Sequence, residues 1–370
     1  MLTTDSSQAL GDGPNAFAPS AQAAAHAFIL KNFELEGLSL DDAAQKTALD
    51  ILAHPAADAK TRLKWETACL ARIESRFALP LEARRPKGAE SDFTTPAGPL
   101  ADEPRAHSVG EPSWSALNSP SVDRYAQPNG VLKNKFGADS QFFLDQAEAA
   151  VASASLACLL RAEIEGEFQG AWSFDCLRGI HRAIFGRVYD WAGNPRTIDI
   201  EKNGMGYARH ERIQEAARRF FSKQATGTWT GLSPENAAHA LAFLLGEIYA
   251  IHPFREGNSR SSRTHVRLIA KRLGFELGFK GLGRDEWMLA VGQHFNGDPT
   301  LLRAVFSRCL EPLPAERPGK SVAVQAAGRP EALTASKSSV DPFAGILPPM
   351  KRRKRKFAHS TRETPSAPAD

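Results

Sequence analysis

The chain has 370 residues, 42% of them hydrophobic and 24% charged, a composition that excludes wholesale disorder, a collagen-like repeat and a disulfide-stapled miniature. Its four cysteines, Cys69, Cys158, Cys176 and Cys309, form no CxxC pair, which fits a reducing compartment and argues against a structural zinc site. The net charge is +4, but Lys351 to Lys356 reads KRRKRK and carries +6 by itself, so the rest of the chain sums to −2 and any attraction to nucleic acid belongs to that one tail.

Residues 1–19 are small, polar and punctuated by Gly and Pro, and read as a disordered leader. The first 25 residues lack a basic n-region and an apolar h-region, and no apolar run approaches the roughly 18 residues that cross a bilayer, so neither Sec-type export nor a membrane span is expected. Ser20 is placed to cap a helix running to Glu36, where Gly37 stops it. Ser39, with Asp42 three residues on, opens a second to about Ala53. Pro55 starts a third, carrying Leu63, Trp65, Cys69, Leu70 and Ile73 to about Phe77. A three-helix unit over 20–78 is small enough to need a larger partner, in this chain or another. Residues 79–122 are a linker by their Pro, Gly, Ser and charge content.

From 123 to 312 the pattern is mostly amphipathic helix, with segments near 139–165, 174–184, 210–222, 233–250, 259–273 and 284–310. One short hairpin is expected within Tyr189 to Tyr207, where Arg196, Thr197, Ile198, Asp199 and Ile200 alternate and Asn203-Gly204 supplies a turn. Residues 313–370 read as a disordered basic tail. The fold class is therefore all-α: a helical body with a short β-hairpin, plus a small N-terminal helical module.

Chemistry concentrates in Ile251 to Arg263, IHPFREGNSRSSR. A helix must end before His252-Pro253, and another begins near Asn258, so Gly257, Asn258 and Ser259 fall at a helix N-terminus whose free N–H groups favour an anion. Arg260 and Arg263, three residues apart, can both point at that anion. His252 is a base near neutral pH, and Glu256 is a hard oxygen ligand suited to Mg²⁺ on phosphates. Taken singly, a loop histidine, a Glu flanked by Arg and two helical arginines each have a plainer structural reading, and Phe254 reads as a core plug. Together they suit attack of a hydroxyl on a nucleotide phosphate.

HPFREGNSRSSR resembles the Fic motif, H-x-F-x-[D/E]-G-N-G-R-x-x-R, with Ser259 in place of the usual second Gly. YAQPNGVLKNKFG, from Tyr125, resembles the opening of Fic domains, VYDWAGNPRTIDIEKNG the hairpin called the flap, and DEWMLAVGQHFNGDPTLLRAVF the closing helices. The resemblance implies a Fic domain over 123–312 that transfers AMP from ATP to a protein Ser, Thr or Tyr hydroxyl. On it, His252 would deprotonate the hydroxyl, and Glu256 would hold the Mg²⁺ bridging the α- and β-phosphates. Gly257, Asn258 and Ser259 would form the anion hole, Arg260 and Arg263 would hold the β- and γ-phosphates, and Thr197, Ile198, Asp199 and Ile200 would dock the target through main-chain pairing. Only a backbone N–H is needed from Ser259. Glu256 stands against the phosphotransferase branch called Doc, which has Lys there.

NFELEG, Asn32 to Gly37, is similar to the [S/T]-x-x-x-E-[G/N] of the antitoxin-like module that silences Fic enzymes. It implies that Glu36 pairs with Arg263 and occupies the γ-phosphate position, with Asn32 in the place of Ser or Thr. Family members include toxins that modify DNA gyrase and topoisomerase IV and secreted effectors that modify host proteins, so the implied location is the bacterial cytoplasm or, after export, a host cell. Two rival classes are a catalytically silent Fic-fold binding module and a nucleic-acid-binding protein acting through 351–356.

Overall fold

The computed structural model describes residues 20–55, 58–78, 123–168, 170–202, 205–225, 229 and 231–313; the leader, the linker, the Asn203-Gly204 turn and the basic tail lie outside the described residues. The architecture is helical, as its class predicts, and is organised around one helix, α4 (Gln141–Ile164). Its N-terminus is capped by Ser140, whose Oγ accepts from the Phe143 N–H at 3.2 Å. Behind the cap runs AAVASASLACLL, small and apolar on every side, and a helix apolar all round is stable only when covered on every side. Four helices pack on it: α1 (Ala21–Glu34), α2 (Asp42–Ala53), α3 (Ala59–Ser75) and α5 (Phe174–Phe185). Contrary to the expectation that no segment has membrane-spanning length and apolarity, α4 does, but 83% of its apolar window is buried within the protein, so it is the core helix.

The N-terminal helices differ from the sequence reading at their starts. Ser20 does cap α1, accepting from Ala23 N at 3.2 Å. For α2, however, the cap is Asp41 (Ala44 N to Oδ1, 2.7 Å), not Ser39, and for α3 it is Asp58 (Thr61 N to Oδ1, 2.8 Å), not Pro55. Carboxylates win because they accept more strongly at a helix N-terminus and complement its dipole. Leu63 faces solvent, whereas Cys69, Leu70 and Ile73 are buried. The buried hydrophobic residues of α1–α3 run into one contiguous core with those of the body, from Ala25 to Leu310. Arg161 of α4 donates to Leu52 O at 2.6 Å, and Arg62 of α3 pairs with Glu165 and Glu167 just beyond α4.

The body continues through α6 (Ile213–Ala225), α7 (Pro234–Ile251), α8 (Asn258–Arg272), α9 (Arg284–Phe295) and α10 (Thr300–Cys309). The single segment expected over 284–310 is thus two helices, broken at Asn296 to Pro299, where Gly297 takes φ +93°. The hairpin strands are β1 (Glu201–Lys202) and β2 (Met205–Gly206), antiparallel with Glu201 opposite Gly206. Residues 196–200, expected to form the strand, instead form an irregular limb leading into it. A second pair, β3 (Phe275–Leu277) with β4 (Leu310–Pro312), ties the ends of α8 and α10 together.

Candidate active site

The loop between α7 and α8 is over-determined by its neighbours. His252 closes α7 with its N–H on Ile248 O (2.9 Å) and turns the chain through the left-handed region (φ 46°), and Pro253 keeps the helix from continuing. Arg196 pins this turn from the flap side: its N–H donates to Pro253 O (2.7 Å), Nε to His252 O (2.9 Å), Nη1 to Ile198 O (2.7 Å), and Nη2 to Ala208 O. Burial lowers the Arg196 pKa to about 10, so it remains a cation at neutral pH. Phe254 is fully buried and stacks on His181 of α5, ring centroids 3.8 Å apart. His181 Nδ1 accepts from Gly193 N (2.9 Å), so Nε2 carries the proton and donates to Glu256 O (2.8 Å). Burial pushes His181 down to about 3 and keeps that ring neutral.

The Asn258 side chain is spent inside the loop, accepting from Phe254 N and donating to Phe254 O, both at 2.8 Å. What it brings to an anion is therefore its main-chain N–H. Gly257 takes φ +77°, and a Cβ there would come within 2.4 Å of the Phe185 ring, so only glycine fits. The Gly257 N–H is held by Glu256 Oε1 at 2.9 Å. Ser259 is half-buried.

The two motif arginines, expected to face one anion together, have distinct partners. Arg260 Nη1 pairs with Glu148 of α4 at 2.6 Å and Nη2 with Glu256 at 3.4 Å, while its guanidinium lies 4.7 Å from the Phe185 ring centroid and 5.4 Å from that of Phe33. The second Glu148 oxygen accepts from the Tyr189 hydroxyl. Burial, then the Glu148 charge, push the Glu256 carboxyl upward, against the pull of Arg260 and the Gly257 N–H. Arg263, with no exposed surface, turns instead to α1. Its Nε donates to Asn32 Oδ1 (2.6 Å), Nη2 to Asn32 O (2.7 Å), and Nη1 pairs with Glu36 Oε1 (2.7 Å) and reaches Tyr249 OH (3.3 Å). Asn32 Nδ2 donates in turn to Arg260 O and Thr264 Oγ1, each at 3.3 Å. Gly37, at φ +76°, turns the chain away immediately after Glu36.

The limb expected to dock a target is already engaged. Thr197 N donates to Tyr125 OH (3.0 Å), Ile198 O accepts from Arg196, and Asp199 accepts from His210 N (2.7 Å) and lies 3.6 Å from Arg209. Ile200 is buried, and its carbonyl accepts from Tyr207 N at 3.4 Å. Beyond the motif, the sequence reading missed Glu148, His181, Tyr189, Arg196 as a loop staple, and Tyr207, whose ring stacks on His252. Glu148 carried a signal, a carboxylate at the head of the uncharged run Ala149 to Leu160.

These elements define a helical protein with a histidine loop set between two helices and an anion-favouring helix N-terminus fed by two buried arginines. Residues 172–270 match the Fic/DOC family, and the chain belongs to it. It is similar to the protein adenylyltransferase VbhT of Bartonella schoenbuchensis, 31% identical over 192 residues, which is 51% of this chain and 39% of that protein. The chain thus spans less than half of VbhT. The probable protein adenylyltransferase y4lH of Sinorhizobium fredii is also 31% identical, over 182 residues, 49% of this chain and 91% of the relative. Among solved structures, the BepC protein of Bartonella tribocorum, a VirB-translocated effector crystallised with AMPPNP, shares 18% identity over 51% of this chain and 97% of that one, TM-score 0.46.

Proposed function

We propose that the chain is a protein adenylyltransferase that moves AMP from ATP to a Ser, Thr or Tyr hydroxyl of another protein, held in check by Glu36. The reading rests on one juxtaposition: His252 at the end of α7, the α8 N-terminus beside it, and Arg263 one turn on, closed by Glu36 at 2.7 Å. The relatives named protein adenylyltransferase support it. His252 takes the proton from the target hydroxyl, whose oxygen bonds to the ATP α-phosphorus as the bond to pyrophosphate breaks. The N–H groups of Asn258 and Ser259 donate to the phosphate oxygens, joined by that of Gly257 once Glu256 Oε1 gives it up, and Arg260 and Arg263 hold the outer phosphates.

Mg²⁺ fits the donor set. Glu148 and Glu36 are taken up by Arg260 and Arg263, and the carboxylate left to a cation is Glu256, whose side chain is about a third exposed and offers hard oxygens. Glu256 would hold the ion, which when bound supplies charge neutralisation to the phosphates. The acceptor in this reading is a protein, and any contact with nucleic acid would fall to 351–356.

The test is incubation of Glu36→Gly protein with α-labelled ATP and a bacterial lysate. Adding His252→Ala is expected to cut label transfer roughly 10²–10⁴-fold while leaving ATP affinity by calorimetry intact. Labelling within a few-fold of the parent would remove His252 as the base.

A further inference from the structure

We propose that Asn32 is a positioning residue for Arg263, so that the front helix α1, which on the adenylyl-transfer reading above presents the inhibitory Glu36, also completes the nucleotide site; the inference rests on that reading. The way α1 ends makes the Asn32 carbonyl available. A continuing helix would give the Glu36 N–H to Asn32 O, but that N–H donates to Phe33 O (3.0 Å), one residue later. Asn32 O accepts instead from Arg263 Nη2 at 2.7 Å, and the side chain adds its Oδ1, which accepts from Arg263 Nε at 2.6 Å. Two of the three guanidinium nitrogens are thereby fixed by one residue with no exposed surface.

The Asn32 amide faces both ways. A guanidinium only donates and a carbonyl only accepts, so Oδ1 points to Arg263 and Nδ2 to Arg260 O, at 3.3 Å, with Thr264 Oγ1 also 3.3 Å away. The same side chain thus registers α1 against one turn of α8 and aims the arginine that leaves that turn. A serine hydroxyl ends one bond nearer the backbone and cannot span both contacts. The oxygens that Asn32 offers carry no net charge. Tyr249, which Nη1 reaches at 3.3 Å, is neutral too, because burial pushes its hydroxyl up to about 12. Among the contacts named, only Glu36, on Nη1 at 2.7 Å, neutralises the guanidinium. Arg260 differs, since Glu148 holds it by charge. With Glu36 out of the way, Arg263 is left aimed by neutral oxygens, its charge available to a phosphate.

The experiment uses the full chain carrying Glu36→Gly, α-labelled ATP and a bacterial lysate, with Asn32→Ala and the milder Asn32→Ser added separately. With Asn32→Ala, labelling is expected to half-saturate at roughly tenfold more ATP, the order set by one lost hydrogen bond to a charged group, while the plateau rate stays within about twofold of the parent. Asn32→Ser should fall between the two. AMP, which lacks the outer phosphates, should bind all three proteins alike by calorimetry. A variant that melts cooperatively and half-saturates where the parent does overturns the inference. So does a plateau that falls at unchanged half-saturation, or an AMP affinity lost in step with that for ATP. Loss of a cooperative melt in both variants also overturns it, because Asn32 is then scaffold alone. A parent that transfers no label overturns the adenylyl-transfer reading itself, whereas a parent that labels normally leaves each of the other outcomes to bear on Asn32.

Discussion

Arg260 and Arg263 stand one turn apart on α8, both buried, yet different parts of the chain hold them. The Arg260 guanidinium is gripped by the body, through Glu148, Glu256 and the Phe185 face, with the Phe33 ring of α1 beside it and Asn32 reaching only its main-chain oxygen. Arg263 is gripped by residues 32–36, through two oxygens of Asn32 and one of Glu36. On the proposed function, the difference would separate support from control. Asn32 and Phe33 have no exposed surface and are part of the core, whereas the Glu36 side chain is 26% exposed and lies past the end of α1.

Deleting residues 20–78 is the harshest way to break this comparison. If α1–α3 were a detachable plug, the deletion would free the pocket. They instead bury Phe28, Ile29, Phe33 and Leu52 completely, and at about 1.5–3 kcal/mol per side chain this sum rivals the 5–15 kcal/mol of a whole domain. Arg161 and Arg263 would also lose Leu52 and Asn32, and Arg267 its stack on Phe28. The expected outcome is aggregation or loss of a cooperative melt by circular dichroism; a folded, monomeric deletion would show that the front module is separable after all.

Arg260→Ala comes next. It leaves Glu148 buried with only the Tyr189 hydroxyl, and an uncompensated buried charge costs about 3–5 kcal/mol. Denaturant melts should show a loss of that order, larger than for Arg263→Ala, which strands the neutral oxygens of Asn32 but no fully buried charge, since Glu36 reaches solvent. Equal losses would mean that the two arginines are held alike.

The comparison also marks where sequence reading stops. The motif loop was legible because its parts are contiguous: a proline-terminated helix, a glycine turn and a new helix fix where His252, Gly257 and the arginines fall. The Glu36–Arg263 pair was reachable only through the family resemblance, since 227 positions separate the partners. Glu148 lies 112 positions from Arg260 and Tyr207 lies 45 from His252, and nothing local to either announces its partner. The flap strands fell later than the alternation in 196–200 suggested because the arginine there is drawn inward to cap carbonyls, a tertiary demand that outweighs local period.

The smallest structural change tests the other half of the comparison. Glu36→Gly removes a carboxylate beyond the end of α1, next to a glycine already in the left-handed region, so its cost to stability should stay within about 1 kcal/mol. Arg263 keeps both Asn32 oxygens and Tyr249, and so remains aimed, while the position its Nη1 gave to Glu36 opens for a phosphate oxygen. Removing an acid from a site already rich in carboxylates also lowers the repulsion met by ATP. Labelling of a lysate from α-labelled ATP should therefore rise over wild type at nearly unchanged melting temperature. Glu36→Gln, which keeps the shape but not the charge, should fall between the two. If Glu36→Gly melts normally and labelling stays flat or drops, Glu36 is a helix-end partner of Arg263 and nothing more, and both arginines belong to the scaffold.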